Sequence, residues 1–374
     1  MKKLFFLLAL AISTGVNARQ LKPALPAAAG MSAERLSRID TVVQQYLRNG
    51  YVNGVVAMVI RDGKIVYNKA FGYDNIDKKT PERTDRIFRI ASQTKAITSV
   101  AVMMLYEEGK FLLDDPISKY IPEFAHPRVL KTMNFTDTTY TTEPATREIT
   151  IRQLLTHTSG IGYSQIGSKE ANALYGKAHI IAGIGVKNVL LADNIKKLGG
   201  LPLLHNPGEK WTYGLNTDVL GYLVEVLSGK SLDQFLRERI FVPLGMKDTY
   251  FYLPKEKQSR LATLYTEDKE TGKIAPMQAV VDLQSEKLVA DYPNMDGTYF
   301  SGGGGLSSTI QDYAVFLQMM LNGGTYNGVR LLSRNTVRIM TMNQTGNLLM
   351  GGNNQDNFGL GFSVVNEKSS AASL

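Results

Sequence analysis

The first part of the chain changes from a helical hydrophobic pattern to a strand-like one. Ser32 stands where a helix N-cap would, and apolar residues recur every three or four positions until Gly50: Leu36, Ile39, Val43, Tyr46 and Leu47. Two apolar runs follow, residues 55–60 and 65–71, and Asp62 and Gly63 between them are typical of a hairpin turn. A helix followed by an antiparallel hairpin predicts an α+β fold.

The remainder of the chain shows mostly helical periodicity. The strongest example begins at Ile97, where apolar positions cover most sides, so we predict a buried helix that ends near Gly109. Further helices are predicted over residues 220–227 and 313–321, and the alternating run 358–365 predicts a strand. Four consecutive glycines, residues 302–305, allow either close backbone approach to a substrate or a tight turn before a helix capped by Thr309.

The N-terminus has the pattern of a secretory signal peptide. Lys2 and Lys3 precede nine apolar residues, 4–12, and small residues lead to a cleavage site predicted after Ala18. The mature chain would then keep 356 residues in the periplasm or outside the cell; a retained N-terminal anchor is the alternative. Nine apolar residues are too few to span a bilayer, and the absence of cysteine excludes a lipoprotein anchor and disulfides.

Charge and histidine spacing argue against two classes of function. The formal net charge is +8, but basic residues are spread along the chain and mixed with acids, which argues against a nucleic-acid-binding surface. No cysteine is present, and the four histidines lack the spacing of a zinc motif: His126, His157, His179 and His205. We therefore predict neither a metal nor a cofactor.

Ser92 and Lys95 are the first candidates for chemistry. They form a Ser-x-x-Lys pair in the first turn of the predicted buried helix, so both side chains lie on one face. The helix dipole favours an oxyanion near Ser92, and partial burial favours a neutral lysine that can act as a base. The alternative is a capping serine followed by a lysine that extends to solvent, and the tetrapeptide alone does not separate the two.

Tyr213 is the candidate third group. It lies on a loop after Pro207 and Gly208 and ahead of the helix at 220–227, and a phenol beside a lysine ammonium can act as a base. The alternative is a tyrosine that only lines a wall of the site. Asn216 likewise has two interpretations, as a substrate-binding amide or as the N-cap of the following helix.

Several ordered segments together resemble the serine β-lactamase-like hydrolases, which include class C β-lactamases, D-alanyl-D-alanine peptidases and family VIII carboxylesterases. The resemblance covers residues 30 to 365 and rests on Ser-Gln-Thr-Lys at 92–95, Leu-Leu-Thr-His-Thr-Ser-Gly at 154–160, Pro-Gly-Glu at 207–209, Tyr-Gly at 213–214, the segment 114–120, and Gly-Gly-Gly-Gly-Leu at 302–306. It implies an antiparallel sheet flanked by helices, an all-helical domain beside it, and a site in the cleft between them. We accordingly divide the chain into a signal peptide (1–18), the first part of a mixed domain (19–90), a helical domain with loops (91–295) and a return to the mixed domain (296–374).

The same resemblance assigns roles to individual residues. It implies that a carbonyl substrate acylates Ser92, that Lys95 and Tyr213 move the proton, and that water releases the acyl group. We assign Asn216, Gly303 and Gly304 as candidate substrate-binding residues, and we expect His157 to shape the fold rather than to catalyse.

The sequence departs from the family pattern in two places. Leu215 stands where β-lactamases and peptidases carry the asparagine of Tyr-x-Asn, which favours the esterase branch. The third family motif, a Lys, His or Trp followed by a small residue and Gly, does not follow Val365, and residues 269–272 (Lys-Glu-Thr-Gly) fall at the wrong place. The last sheet strands therefore also count as missing, and we interpret the sequence as incomplete; a defective site is the alternative.

We therefore predict a periplasmic or secreted serine hydrolase that cleaves an ester or amide carbonyl through an acyl-serine intermediate, and that is esterase-like rather than an efficient β-lactamase. Its partner is a small-molecule ester, amide or β-lactam, with no nucleic acid and no stable membrane anchor after signal removal. The alternatives are a non-catalytic protein that binds penicillin-like or peptidoglycan ligands, and an inactive fragment.

Overall fold

The computed structural model describes residues 21–164, 166–182, 184, 186–268, 270–283, 286–351, 355–367 and 369. The predicted signal peptide lies outside the described residues, as does Lys269. No described helix combines the length and the hydropathy needed to cross a membrane.

The N-terminal elements form the sheet. Helix α1 covers Ala33–Arg48, and the strands are β1 (Lys22–Pro23), β2 (Gly54–Arg61), β3 (Lys64–Asn75) and β4 (Thr80–Pro81). The Ser32 side chain accepts a hydrogen bond from the Arg35 amide at 3.2 Å, which confirms the predicted N-cap. Asp62 and Gly63 have φ angles of 52° and 69°, as a two-residue hairpin turn requires, and β2 and β3 pair antiparallel as predicted.

The sheet order is β1-β3-β2, and the short strand β1 runs parallel to β3. The antiparallel pairing of the two long strands, β2 and β3, agrees with the predicted sheet, to which the two-residue strand β1 adds a parallel pair. Helix α1 and strand β2 separate β1 from β3 in the chain, and a connection of that length allows two neighbouring strands to run in the same direction.

The edge of β2 that faces away from β3 borders an apolar groove. Within the described residues β2 pairs only with β3, and a cavity of about 610 Å³ lies between β2 and helix α9 (Ile310–Leu321). Leu317 and Leu321 on α9 remain 44% and 82% exposed. This side of the sheet therefore presents apolar surface.

Helix α2 (Thr94–Glu107) is the central element of the core. Eleven of its residues are buried, and Gly109 has a φ of 69°, which confirms both the buried helix and its predicted end. Strand β5 (Phe88–Arg89) leads into α2 and pairs with β12 (Ser307–Ser308), which leads into α9. The N-termini of α2 and α9 are thereby held side by side.

The remaining elements are helices and short hairpins. The helices are α3 (Ile151–Leu155), α4 (Lys169–Lys177), α5 (Leu191–Gly199), α6 (Asn216–Ser228), α7 (Leu232–Leu236), α8 (Val242–Leu244) and α10 (Arg334–Met340). The strands are β6 (Arg128–Met133), β7 (Tyr140–Pro144), β8 (Tyr265–Glu267), β9 (Ile274–Pro276), β10 (Val280–Leu283), β11 (Glu286–Val289), β13 (Thr325–Tyr326), β14 (Val329–Arg330), β15 (Asn357–Phe358) and β16 (Ser363–Val364). The region 91–295 therefore contains three hairpins and is not all-helical; its boundaries as a domain stay a prediction.

The run 358–365 forms a hairpin rather than the continuous strand that we predicted. Strand β15 pairs antiparallel with β16, and the Gly359 amide donates to the Phe362 carbonyl at 2.7 Å. Gly361 adopts a φ of 89°, a left-handed conformation that interrupts an extended chain. The turn lies beside α2, because the Gly361 amide donates to the Leu155 carbonyl and its Cα faces Ser99.

Candidate active site

Ser92 lies on a 3-10 turn, Ala91–Gln93, immediately before α2. Ala91 has a φ of 43°, a left-handed conformation that is strained for a residue with a side chain. The N-cap of α2 is Gln93, so Ser92 does not cap the helix, and its side chain is exposed. The structure therefore does not support the capping alternative; the hydroxyl instead stands at the positive end of a buried helix.

Lys95 is held beneath Ser92 by three oxygen atoms. Its Nζ lies 3.3 Å from Ser92 Oγ, 3.1 Å from the Tyr163 hydroxyl and 2.6 Å from the Gly303 carbonyl oxygen. The residue is only 6% exposed, so it does not extend to solvent. These contacts fix the nitrogen within reach of the Ser92 hydroxyl.

Tyr213 completes the group that we predicted from the sequence. Its hydroxyl donates to Ser92 Oγ at 2.7 Å, and Lys95 Nζ lies 4.6 Å from the centre of its ring. The preceding Thr212 amide donates to the His157 carbonyl at 2.7 Å. A Cβ atom added to Gly214 would overlap the Ile161 carbonyl, so the loop lies directly on the neighbouring chain. Ser92, Lys95 and Tyr213 are therefore together at one point.

An aromatic layer supports the Tyr213 ring. The ring stacks on Trp211 with a centroid distance of 5.9 Å and an interplanar angle of 16°, and the rings of Tyr163 and His157 lie at 5.4 and 5.1 Å. Phe358 closes the layer on the Trp211 side at 5.7 Å. Aromatic packing of this kind restricts the Tyr213 side chain to one orientation.

His157 is a buried, neutral part of this support. Burial, followed by the nearby positive charge of Lys95, lowers the pKa of His157 to about 3. Its Nδ1 accepts a hydrogen bond from Asn216 Nδ2 at 2.9 Å, and its ring packs against Tyr213. This geometry gives His157 a role in positioning Tyr213, as we expected.

Asn216 is fully buried at the start of α6. Its Oδ1 accepts from the Ser159 hydroxyl, and its Nδ2 also approaches the Ile161 carbonyl at 3.4 Å. The N-cap position of α6 is Leu215, so Asn216 is not the cap. The amide thus binds other parts of the protein, and its contact with a substrate stays a prediction without support in this geometry.

The glycines at 302–305 lie between α2 and α6. The Gly302 carbonyl accepts from Thr98 at 2.9 Å, and the Gly303 carbonyl accepts from Lys95. A Cβ atom on Gly302 would lie 2.6 Å from the Thr217 carbonyl, and one on Gly304 would lie 3.3 Å from Ile184. The close approach at Gly302 is therefore to α6 and that at Gly304 to the Ile184 side chain, and substrate binding by Gly303 and Gly304 stays a prediction.

Two residues at the site were not among our sequence candidates. Tyr163 contacts Lys95, and burial, reinforced by the negative charge of Asp218, raises the pKa of its phenol well above the usual value. Asp218 is fully buried on α6, and burial raises its pKa to about 6 against the opposing effects of Ser301 and Lys95. A carboxylate next to the apolar residues 219 and 220 was a usable signal for Asp218. No sequence signal distinguished Tyr163.

No cluster of three or more histidine, cysteine or acidic side chains suited to a metal ion occurs in the part of the chain that the structure describes.

The model of the Beta-lactamase family matches residues 39–373. The chain belongs to the Beta-lactamase family. It is thus a serine hydrolase of the β-lactamase-related type, as the sequence predicted, and the predicted α+β fold is confirmed.

The similar proteins include an esterase, a putative carboxypeptidase and a hydrolase of solved structure. Esterase EstB of Burkholderia gladioli is 37% identical over 227 residues, which cover 60% of this chain and 54% of EstB. A putative D-alanyl-D-alanine carboxypeptidase of Escherichia coli K12 is 29% identical over 360 residues, which cover 91% of this chain and 77% of that protein. The solved structure of EstCE1, a hydrolase with promiscuous acyltransferase activity, superposes with a TM-score of 0.73 at 26% identity and covers 90% of this chain and 85% of EstCE1.

Proposed function

We propose that this serine hydrolase cleaves small carboxylic esters through an acyl intermediate on Ser92. The observation that carries the proposal is the contact of Ser92 Oγ with both Tyr213, at 2.7 Å, and Lys95, at 3.3 Å. A hydroxyl oxygen that meets a phenol and an amine at a helix N-terminus can lose its proton and attack a carbonyl carbon.

Acylation follows from these contacts. Ser92 Oγ forms a bond to the carbonyl carbon while its proton moves to the neutral amine of Lys95, and the negative charge collects on the carbonyl oxygen. The intermediate then collapses, and the departing alkoxide takes a proton from the Tyr213 hydroxyl. The Tyr213 phenolate recovers a proton from the Lys95 ammonium, which leaves the acyl-serine and a neutral alcohol.

Deacylation uses the same groups with water as the nucleophile. Water attacks the acyl carbon and gives its proton through Tyr213 to Lys95; Ser92 Oγ then leaves and takes this proton back from the Lys95 ammonium. The products are a carboxylic acid and the free enzyme. The positive end of the α2 dipole favours the oxyanion in both steps.

Two observations favour an ester over an amide. Leu215 follows Tyr213 and Gly214 and is fully buried, so no side-chain amide is offered at the position where β-lactamases and peptidases carry asparagine. Among the similar proteins, EstB is named an esterase, and EstCE1 is described as a hydrolase with promiscuous acyltransferase activity. The similarity to a putative carboxypeptidase over 91% of the chain supports a second candidate, the cleavage of a D-alanyl-D-alanine peptide.

The same proposal places the mature protein in the periplasm or outside the cell. Lys2, Lys3 and the apolar run 4–12 support it. Expression of the full chain in a Gram-negative host, followed by fractionation and N-terminal sequencing, should yield a protein that begins at Arg19. A cytoplasmic protein that begins at Met1 would contradict the proposal.

Covalent labelling and turnover test the catalytic proposal. We expect a fluorophosphonate to add one mass increment to the intact protein, and we expect Ser92→Ala to abolish it and to lower ester hydrolysis by more than about a thousandfold. p-Nitrophenyl esters, a D-alanyl-D-alanine peptide and a chromogenic cephalosporin should be compared in parallel. Turnover of the peptide but not of the esters would support the second candidate. Binding of penicillin without an adduct or turnover would overturn both and support a binding protein.

A further inference from the structure

Asp218 is a buried carboxylate directly behind the Ser92 and Lys95 pair. It is the third residue of α6, and its Oδ1 accepts a hydrogen bond from the Ser301 hydroxyl at 2.7 Å. Its Oδ2 lies against Gly303, because a Cβ atom added there would overlap Oδ2 and lie 3.1 Å from the Tyr163 hydroxyl. The Gly303 amide acts as a hydrogen-bond donor to this carboxylate and lowers its pKa, although Oδ2 has no well-aligned partner among the described residues.

Gly303 connects this carboxylate to Lys95. The Gly303 peptide lies against Asp218 on one side, and its carbonyl oxygen accepts the 2.6 Å hydrogen bond from Lys95 Nζ on the other. Ser301, which donates to Asp218, begins the same segment. The position of the Lys95 acceptor therefore depends on the contact of residues 301–303 with Asp218.

Above its pKa of about 6, Asp218 is the anion of this group. The titratable side chains that face the pair are Lys95 from α2, His157 and Tyr163 from the segment after α3, and Tyr213 from the loop before α6. His157 is neutral, and the raised pKa of Tyr163 keeps its phenol neutral. The negative charge of Asp218 therefore attracts a positive charge on Lys95. The attraction is strong because the buried site has a low dielectric constant.

We propose that Asp218 is a positioning residue for the activation of Ser92: it fixes residues 301–303 so that the Gly303 carbonyl holds Lys95, and its charge stabilises the ammonium that forms when Ser92 gives up its proton. The inference rests on the proposed roles of Ser92 and Lys95. It assigns to the carboxylate no contact with the substrate.

The replacement Asp218→Asn keeps the size of the side chain and removes its charge. Because the Lys95 ammonium then loses its counter-charge, we expect the maximal rate of fluorophosphonate labelling of Ser92 to fall at least about tenfold. The acid limb of the labelling rate should also move down by about one pH unit, because the negative charge that favours protonation within the site is gone. If Asp218 had only a structural role, Asp218→Asn would lower the amount of folded protein and leave the acid limb of the labelling rate at the same pH.

Two further variants make the test decisive. Ser301→Ala keeps the carboxylate but removes its hydroxyl donor, and we expect a smaller shift of the limb in the same direction. Asp312→Asn is the matched control, since Asp312 is a buried acid whose side chain binds Thr249 at 3.0 Å and the Asp248 amide at 2.6 Å rather than Ser92, Lys95 or the 301–303 segment. We expect this control to change the melting temperature but to leave the pH profile of labelling as in the wild type.

The outcomes separate the two proposals. A wild-type protein that is folded but never labelled would overturn the catalytic role of Ser92. Normal labelling of the wild type, with an unchanged rate and limb in Asp218→Asn, would overturn the inference about Asp218. If Asp218→Asn does not fold, Ser301→Ala decides, and an unchanged limb in that variant overturns the inference.

Discussion

His157 should make the protein sensitive to acid. Its pKa in the folded protein is about 3, against an ordinary value of 6.5, because burial and Lys95 disfavour the imidazolium. The unfolded chain therefore binds this proton more tightly than the folded protein. The stability that the neutral ring provides is complete above about pH 6.5 and is lost as the pH falls towards 3, at about 1.4 kcal/mol per pH unit.

The replacement His157→Asn removes this titration. Asparagine tolerates the left-handed backbone at this position, where φ is 57°, and it offers an oxygen to the Asn216 amide. The smaller side chain leaves a void under Tyr213, so we expect a loss of about 2 kcal/mol at pH 8. At pH 4.5 the wild type has itself lost about 3 kcal/mol through His157, so the difference between the two proteins should shrink or reverse.

Urea unfolding followed by fluorescence at several pH values between 4 and 8 measures this change. His126→Asn is the matched control, since His126 is exposed and has a similar φ of 54°. It should show the pH dependence of the wild type. If His157→Asn and the wild type lose stability in parallel between pH 6.5 and 4.5, the argument from a buried neutral imidazole is wrong.

Three further replacements test the site. Lys95→Ala removes the base, so ester turnover should fall by about a thousandfold or more in steady-state assays, and near-normal turnover would exclude Lys95 as the base. Tyr213→Phe keeps the ring and its stacking, so calorimetry should find the melting temperature within about 3 °C while turnover falls about a hundredfold; a large loss of stability instead would assign Tyr213 to packing. Gly303→Ala brings a Cβ atom onto Asp218 and should lower the free energy of unfolding in urea by about 1–3 kcal/mol. The control Gly176→Ala, whose Cβ meets nothing within 4 Å, should be neutral or slightly stabilising. Equal effects of the two replacements would refute the steric argument.

Features that depend on neighbouring residues could be predicted from the sequence. The Ser32 cap, the turn at Asp62 and Gly63 and the buried helix α2 each follow from a short stretch of chain, because capping, positive φ angles and helical periodicity are local properties. The proximity of Ser92 and Lys95 followed in the same way, since residues three apart on a helix are neighbours.

Features that depend on distant contacts required either the family resemblance or the structure. Tyr213 meets Ser92 from 121 positions away; its loop position made it a candidate but left open a role as a wall residue, and the resemblance gave it the catalytic role. Tyr163 reaches Lys95 across 68 positions, and no local pattern marks it. The hairpin β6–β7 was missed because its strands are largely exposed. Their hydrophobic residues show neither the helical repeat nor the alternation of a half-buried strand. The prediction of a continuous strand at 358–365 was wrong because Gly361 permits a turn inside a run of alternating hydrophobic residues.

The contact of Lys95 with Gly303 joins positions that are 208 residues apart. Closure of so long a segment comes late when a chain folds, because its entropic penalty must be met before the contact contributes. Reactivity towards a covalent probe thus reports that distant parts of the polypeptide have come together, whereas circular dichroism reports the earlier appearance of helices. During refolding, the circular-dichroism signal should therefore recover before reactivity towards the covalent probe.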